Sequence, residues 1–182
     1  MQKKYAIIVV DMLNDFITGA LACDRSQRII PPLAELLEAA RKHGIPVIFS
    51  NDAHLPDIDK ECVHWGAHAI AGTEGAQVIP ELKQQAGDFV VPKRRYSGFF
   101  QTDMQMLLTE LGVDTVIMTG MHTHMCVRHT TADAFQYGYD IIVPEDGVEA
   151  FTQADHDGGI AYFKSTYFAE ITDCKTLIAR WS

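Results

Sequence analysis

Short continuous apolar runs alternate with longer amphipathic stretches along the whole chain. The runs at 5–10, 46–50, 89–91, 115–119, 141–143 and 170–172 are predicted strands, several rich in β-branched residues, as expected for strands buried on both faces. Between them, helical spacing is clearest over 28–43, where Leu33, Leu36, Leu37 and Ala40 share a face, Pro31 and Pro32 fit the first turn and Gly44 fits the stop. A second helix is predicted over 102–111, with Met104, Leu107, Leu108 and Leu111 on one side and Gly112 after it. Further helices are predicted from Cys126 to about Tyr137 and, as the final long helix, over 153–163.

Strands that alternate with helices throughout imply an α/β fold, a mostly parallel six-stranded sheet with helices on both faces. The predicted strands share a feature at their carboxyl ends. The first stops at Asp11, the second at Asn51-Asp52-Ala53-His54, the third at Pro92-Lys93, and the fourth runs into Gly120-Met-His-Thr-His-Met-Cys126. In open α/β sheets this edge is where ligands bind. The segment 55–74 has no clear period and reads as a binding or active-site loop.

Composition narrows the class. A chain of 182 residues suits one domain, 1–182, within the common range of about 100–200 residues. A net charge of -9 argues against a nucleic-acid or anionic-membrane partner. No apolar run approaches the ~20 residues of a membrane span. The cysteines, Cys23, Cys62, Cys126 and Cys174, form no C-x-x-C pair, and the chain enters a strand pattern without an apolar leader, so a reducing cytoplasm is expected. No dinucleotide fingerprint follows the first strand and no P-loop occurs.

Cys126 stands at a strand-to-helix junction. Unpaired N–H groups and the positive end of the helix dipole there favour thiolate and can hold an oxyanion. A free cysteine is equally often a small buried apolar residue. Asp11 and Lys93, at the same sheet edge, turn the balance towards a nucleophile.

Asp11-Met-Leu-Asn-Asp-Phe16, Lys93 with Tyr96-Ser-Gly-Phe99, and Gly120-x-x-Thr-x-x-Cys126-Val127 with Thr130 and Asp133-Ala134 form an ordered set that resembles the isochorismatase-like cysteine hydrolases, among them nicotinamidases and N-carbamoylsarcosine amidases. The resemblance spans nearly the whole chain. It implies a three-layer α/β/α, Rossmann-like fold and a catalytic triad of Asp11, Lys93 and Cys126. It also implies a cis peptide between Met121 and His122, with the N–H groups of His122 and Cys126 forming an oxyanion hole.

By the same resemblance Asp52, His54 and His68 are expected to hold a divalent transition metal, zinc first, iron or manganese next. Phe16, Trp65, Tyr96 and His124 are expected in the substrate pocket, with His122 and His124 bordering the nucleophile. His64 is expected at the surface and His129 on the helix. The implied activity is hydrolysis of the C–N bond of a small amide through a thioester with ammonia release, nicotinamidase-like, in a homo-oligomer.

Ala53 stands where nicotinamidases usually carry an aromatic, and His124 stands where an acid is usual. An N-carbamoylsarcosine or other ureido amidase is therefore the alternative, with Arg94 and Arg95 as candidates to bind a substrate carboxylate. A non-catalytic metal-binding member of the fold is a further alternative. Isochorismatase itself fits less well, because that branch resembles a triad lacking the nucleophilic cysteine.

Overall fold

The computed structural model describes residues 3–181. Strands β1 (Tyr5–Val10), β2 (Val47–Asp52), β3 (Phe89–Lys93), β4 (Thr115–Met121), β5 (Asp140–Pro144), β6 (Val148–Glu149) and β7 (Glu170–Thr172) form one sheet. Its order is β3-β2-β1-β4-β5-β7, with β6 paired to β4. Every pairing within the sheet is parallel. The α/β reading holds, and the sheet gains a seventh strand. A two-residue strand between turns carries too little apolar pattern to be legible in the sequence.

The helices are α1 (Asn14–Ile17), α2 (Ile30–Lys42), α3 (Lys60–Trp65), α4 (Met104–Glu110), α5 (Cys126–Gln136), α6 (Gln153–Thr166) and α7 (Cys174–Trp181). Alternation along β1 divides the core. Ile7 and Val9 face Leu33, Leu36 and Leu37 of α2 and Leu177 of α7, whereas Ala6, Ile8 and Val10 face Met104 and Leu108 of α4, Val127 of α5 and Phe163 of α6. Both faces are thus covered by helix, which makes the three layers. The expectation that 153–163 is the final helix is corrected by α7, and the irregular stretch 55–74 contains α3.

Chain order reverses between β1 and β4, the central pair. Val10 lies opposite Gly120 in their register. Gly120 is required there, since its φ is +96° and a Cβ would lie 2.0 Å from the Val10 carbonyl oxygen. β5 pairs with β4 through Ile142 opposite Ile117, and β6 takes over with Val148 opposite Gly120. The carboxyl ends of β1 and β4 thus meet at the switch point, where such sheets bind ligands.

Candidate active site

Strand register assembles the charged cluster. Asp11 follows the last residue of β1, and Asp52 lies opposite Lys93 where β2 pairs with β3. Lys93 Nζ is 2.7 Å from Asp11 Oδ2 and 2.5 Å from Asp52 Oδ1. The Asp52 N–H donates to Asp11 Oδ1 at 2.7 Å, so the end of β2 orients the Asp11 carboxylate. All three side chains are buried.

Cys126 is the first residue of α5, and ligand-capable atoms of Cys126, Asp11 and Asp52 lie within 4.8 Å of one another. Asp11, Lys93 and Cys126 are therefore brought together as the sequence leads one to expect. The peptide between Met121 and His122 is cis. The Tyr96-Ser-Gly-Phe99 motif docks on α5 beside them: Gly98 N–H donates to Thr130 Oγ1 at 3.0 Å and Ser97 Oγ to Asp133 Oδ2 at 2.5 Å.

The electrostatics differ from a helix-activated thiolate. Burial first, then the Asp11 and Asp52 carboxylates, push the Cys126 thiol well above its usual range, against the pull of Lys93. The resting group is a thiol. Burial, followed by the charge of Asp52, raises Asp11 to about 7, with Lys93 opposing. For Asp52, burial is overcome by Lys93 and then His54, which hold it below the ordinary carboxylate range. Burial also works against the Lys93 ammonium, but Asp11 and Asp52 outweigh it and keep it firmly charged. Of the two carboxylates that share one ammonium, Asp11 is the more basic and stands beside the thiol.

A second cluster adjoins the first. Asp52, His54, Glu61 and His68 are all buried, with one ligand atom each inside a common 4.8 Å. His54 Nδ1 lies 3.3 Å from Asp59 Oδ2, and His68 Nδ1 lies 2.8 Å from the Gly66 carbonyl oxygen. Both partners only accept, so each imidazole is protonated at Nδ1 and, when neutral, presents a lone pair at Nε2. His54 Nε2 faces Asp52 Oδ2 at 3.5 Å and Glu61 Oε2 at 3.8 Å and makes no hydrogen bond among the described residues. Against burial, those carboxylates raise the His54 imidazole above its ordinary range, so at this nitrogen a proton or a metal cation can meet them. The donor set, two imidazoles and two carboxylates, suits a divalent transition metal.

The loop that carries His68 is fixed by α1. Asp15 accepts from Ala69 N–H at 2.8 Å and Asn14 donates to the Glu74 carbonyl at 2.9 Å. These contacts give the Asn14-Asp15 part of the first motif a positioning role.

Beside the thiol lies a narrow cleft of about 20 Å³, partly open to solvent, lined by aromatic and apolar side chains together with Cys126, Asp52, Glu61 and His68. Phe16, Trp65 and Tyr96 line it as expected, and Trp65 Nε1–H donates to the Tyr96 hydroxyl at 3.0 Å. His124 is not in the lining; its ring lies 6.3 Å from that of His122, which is. Of the turn at 122–126, His122, Met125 and Cys126 reach the cleft, whereas the His124 ring packs edge-on towards Phe151, centroids 6.1 Å apart, outside the lining. His64 is exposed, and His129 lies on α5 with Nδ1 2.8 Å from the Met125 carbonyl.

The family model described as Isochorismatase domain matches residues 5–176. The chain belongs to the isochorismatase family. N-carbamoylsarcosine amidase from Thermoplasma acidophilum is 41% identical, with a TM-score of 0.88 over 94% of this chain and 96% of that one. Nicotinamidase PncA from Bacillus subtilis is 30% identical, with a TM-score of 0.89 over 93% and 99%. Pyrazinamidase of Pyrococcus horikoshii, solved in complex with zinc, is 28% identical, with a TM-score of 0.87 over 93% and 99%.

In this isochorismatase-family chain Arg94 and Arg95 are engaged away from the cleft. The Arg94 guanidinium forks onto the buried Asp59 carboxylate, with Nε 2.9 Å from Oδ1, and Arg95 Nη1 donates to the Arg94 carbonyl at 2.5 Å. Neither arginine lines the cleft. Sequence reasoning also missed Glu61, Asp59, Leu21, Met125 and Phe151. Glu61 follows His54 by seven positions inside a segment without period, and the one available signal was a carboxylate in a loop rich in histidine.

Proposed function

We propose that this chain is a cysteine amidohydrolase that cleaves the C–N bond of a small, flat, uncharged amide through a thioester, with nicotinamide-like carboxamides as the substrate class. One observation carries the reading: a buried thiol within 4.8 Å of a carboxylate, lining an aromatic cleft. With Asp11 raised to about 7, that carboxylate is matched to neutral pH as a general base.

Asp11 takes the Cys126 proton as sulfur attacks the amide carbonyl carbon. The oxyanion formed is held by the N–H groups of His122 and Cys126. Collapse breaks the C–N bond, and the proton on Asp11 passes to the leaving nitrogen, which departs as ammonia. Asp11 then deprotonates a water that attacks the thioester, and the carboxylic acid and free thiol are released. Lys93 stays charged throughout and holds Asp11 in place.

Asp52, His54, Glu61 and His68 would hold a transition metal, for which zinc is the first choice. When bound, it would supply a Lewis acid at the cleft floor for a polar atom of the substrate. The four free thiols fit a reducing cytoplasm.

The 41% identity to an N-carbamoylsarcosine amidase favours a ureido substrate as the second reading. Against it, the cleft lining contains no lysine or arginine for a substrate carboxylate. An ammonia-release screen of purified protein over nicotinamide, pyrazinamide, N-carbamoyl amino acids and biuret ranks the two. Turnover of the carboxamides first is expected; exclusive turnover of N-carbamoyl acids would replace the first reading with the second.

A further inference from the structure

Thr123, Glu149 and His156 are buried polar residues with no part in the chemistry above. They come from three elements, the turn between β4 and α5, β6, and α6, and they meet behind the turn that carries the His122 N–H. The Thr123 hydroxyl lies 3.2 Å from His156 Nδ1, and the same nitrogen is 3.6 Å from Glu149 Oε1. Arg25 donates to that oxygen from Nε at 3.2 Å and from Nη2 at 2.9 Å, and the Ala150 N–H donates to it at 2.9 Å. A line of polar groups thus runs from Arg25, through Glu149 and His156, to the hydroxyl of the residue after His122.

Backbone contacts complete the seat. The Thr123 N–H donates to the Glu149 carbonyl at 2.9 Å, and the His122 carbonyl accepts from Met125 N–H at 2.9 Å and Val127 N–H at 3.2 Å. The peptide that follows His122 is therefore held at both ends. Helix α6 rests directly on it: a Cβ at Gly159, one turn beyond His156, would lie 2.7 Å from Thr123 Cγ2 and 3.4 Å from the His124 nitrogen. Buried ion pairs add little stability over apolar packing, so the Arg25–Glu149–His156 line is better explained by what it holds in place.

We infer that His156 is a positioning residue for the oxyanion site: it anchors the Thr123 hydroxyl, with Glu149 and Arg25 fixing its ring, and so sets the direction of the His122 N–H. The inference rests on the amidohydrolase reading for its kinetic consequence. An N–H turned away from the developing oxyanion lowers kcat more than it raises KM, since that charge is absent from the bound ground state.

In His156→Leu, kcat for nicotinamide should fall by roughly 10²-fold with little change in KM. His156→Asn, which places an amide group where Nδ1 lies, should recover part of the loss, a rescue that a merely structural role would not give. Thr123→Val removes the hydroxyl from the other side; it should reproduce the loss, and the double variant should add nothing further. Alkylation of Cys126 by iodoacetamide forms an S–C bond, expels iodide and builds no oxyanion, so its rate should match the wild type in all of these variants. An unchanged kcat, additive losses in the double variant, or alkylation slowed along with kcat would overturn the inference.

A binding readout separates this from the reaction itself. Pyridine-3-carbaldehyde can add to the Cys126 thiol: the S–C bond forms, the C=O π bond breaks, and the thiol proton passes by way of Asp11 to the oxygen, which lies among the same donors. Its dissociation constant should rise at least about 10-fold in His156→Leu and be partly restored in His156→Asn. An unchanged constant would overturn the inference. Binding that depends on His156 in a protein that releases no ammonia from any amide would sink the amidohydrolase reading and leave the role of His156 standing.

Discussion

Lys93 and Asp52 lie opposite each other in the register of β3 with β2, and Lys93 Nζ, 2.5 Å from Asp52 Oδ1, also sits 2.7 Å from Asp11 Oδ2. One ammonium therefore belongs to both clusters, the thiol with its acid and the imidazoles with their carboxylates. Removal of that charge leaves two buried carboxylates facing each other, and breaking a buried pair in this way costs about 3–5 kcal/mol. Lys93→Met should lose stability of that order in denaturant unfolding and lose activity as well. A variant that unfolds at the wild-type midpoint would show that the ammonium contributes little.

The basicity of Asp11 sets the pH dependence. As the base it must be ionised, so activity falls when protons are added and kcat/KM should rise with pH through about 7. Asp11→Asn keeps the shape and the oxygen that accepts from Asp52 N–H but cannot take a proton. The expected loss is roughly 10²–10⁴-fold, with the rise near neutrality gone. Wild-type rates for Asp11→Asn near pH 7 would make the acid structural.

Alkylation reports the same proton transfer without any substrate. Cys23 and Cys174 are buried and Cys62 is half-buried, so iodoacetamide followed by peptide mapping should mark Cys126, beneath its cleft, and Cys62. Because Cys126 is a thiol at rest, its labelling near pH 7 depends on Asp11 taking the proton, so Asp11→Asn should slow it while labelling at Cys62 is unaltered. Equal labelling of Cys126 in the wild type and in Asp11→Asn would count against Asp11 as the base.

Metal content is a separate measurement. Purified protein should contain about one transition metal per chain by elemental analysis, and His54→Ala with His68→Ala should lose it. Glu61→Gln should weaken retention against a chelator. Full activity in a chelator-treated, metal-free preparation would confine the cluster to a structural part.

Much of this arrangement was legible in the sequence because strand ends are. Asp11, Lys93 and Cys126 each terminate or follow an apolar run, and a parallel sheet brings such positions to one edge without further information. Contacts made through irregular backbone were not legible. Glu61 and Asp59 lie on or before a six-residue helix inside an aperiodic loop, and Phe151 comes after a two-residue strand, so no period marked them. The thiol's electrostatics were misjudged for a related reason. The helix start was visible in the sequence, but the depth of burial and the second carboxylate, Asp52, depend on β2 lying beside β1.

The claim on which the others depend is a covalent bond to Cys126. Rapid acid quench of the protein turning over nicotinamide, followed by mass spectrometry of the intact chain and its peptides, measures it directly. The expected result is an acyl adduct, the substrate less ammonia, on the peptide containing Cys126, absent from Cys126→Ala, which should also release no ammonia. Ammonia release by Cys126→Ala at the wild-type rate, or an adduct on a different residue, would contradict the thioester mechanism.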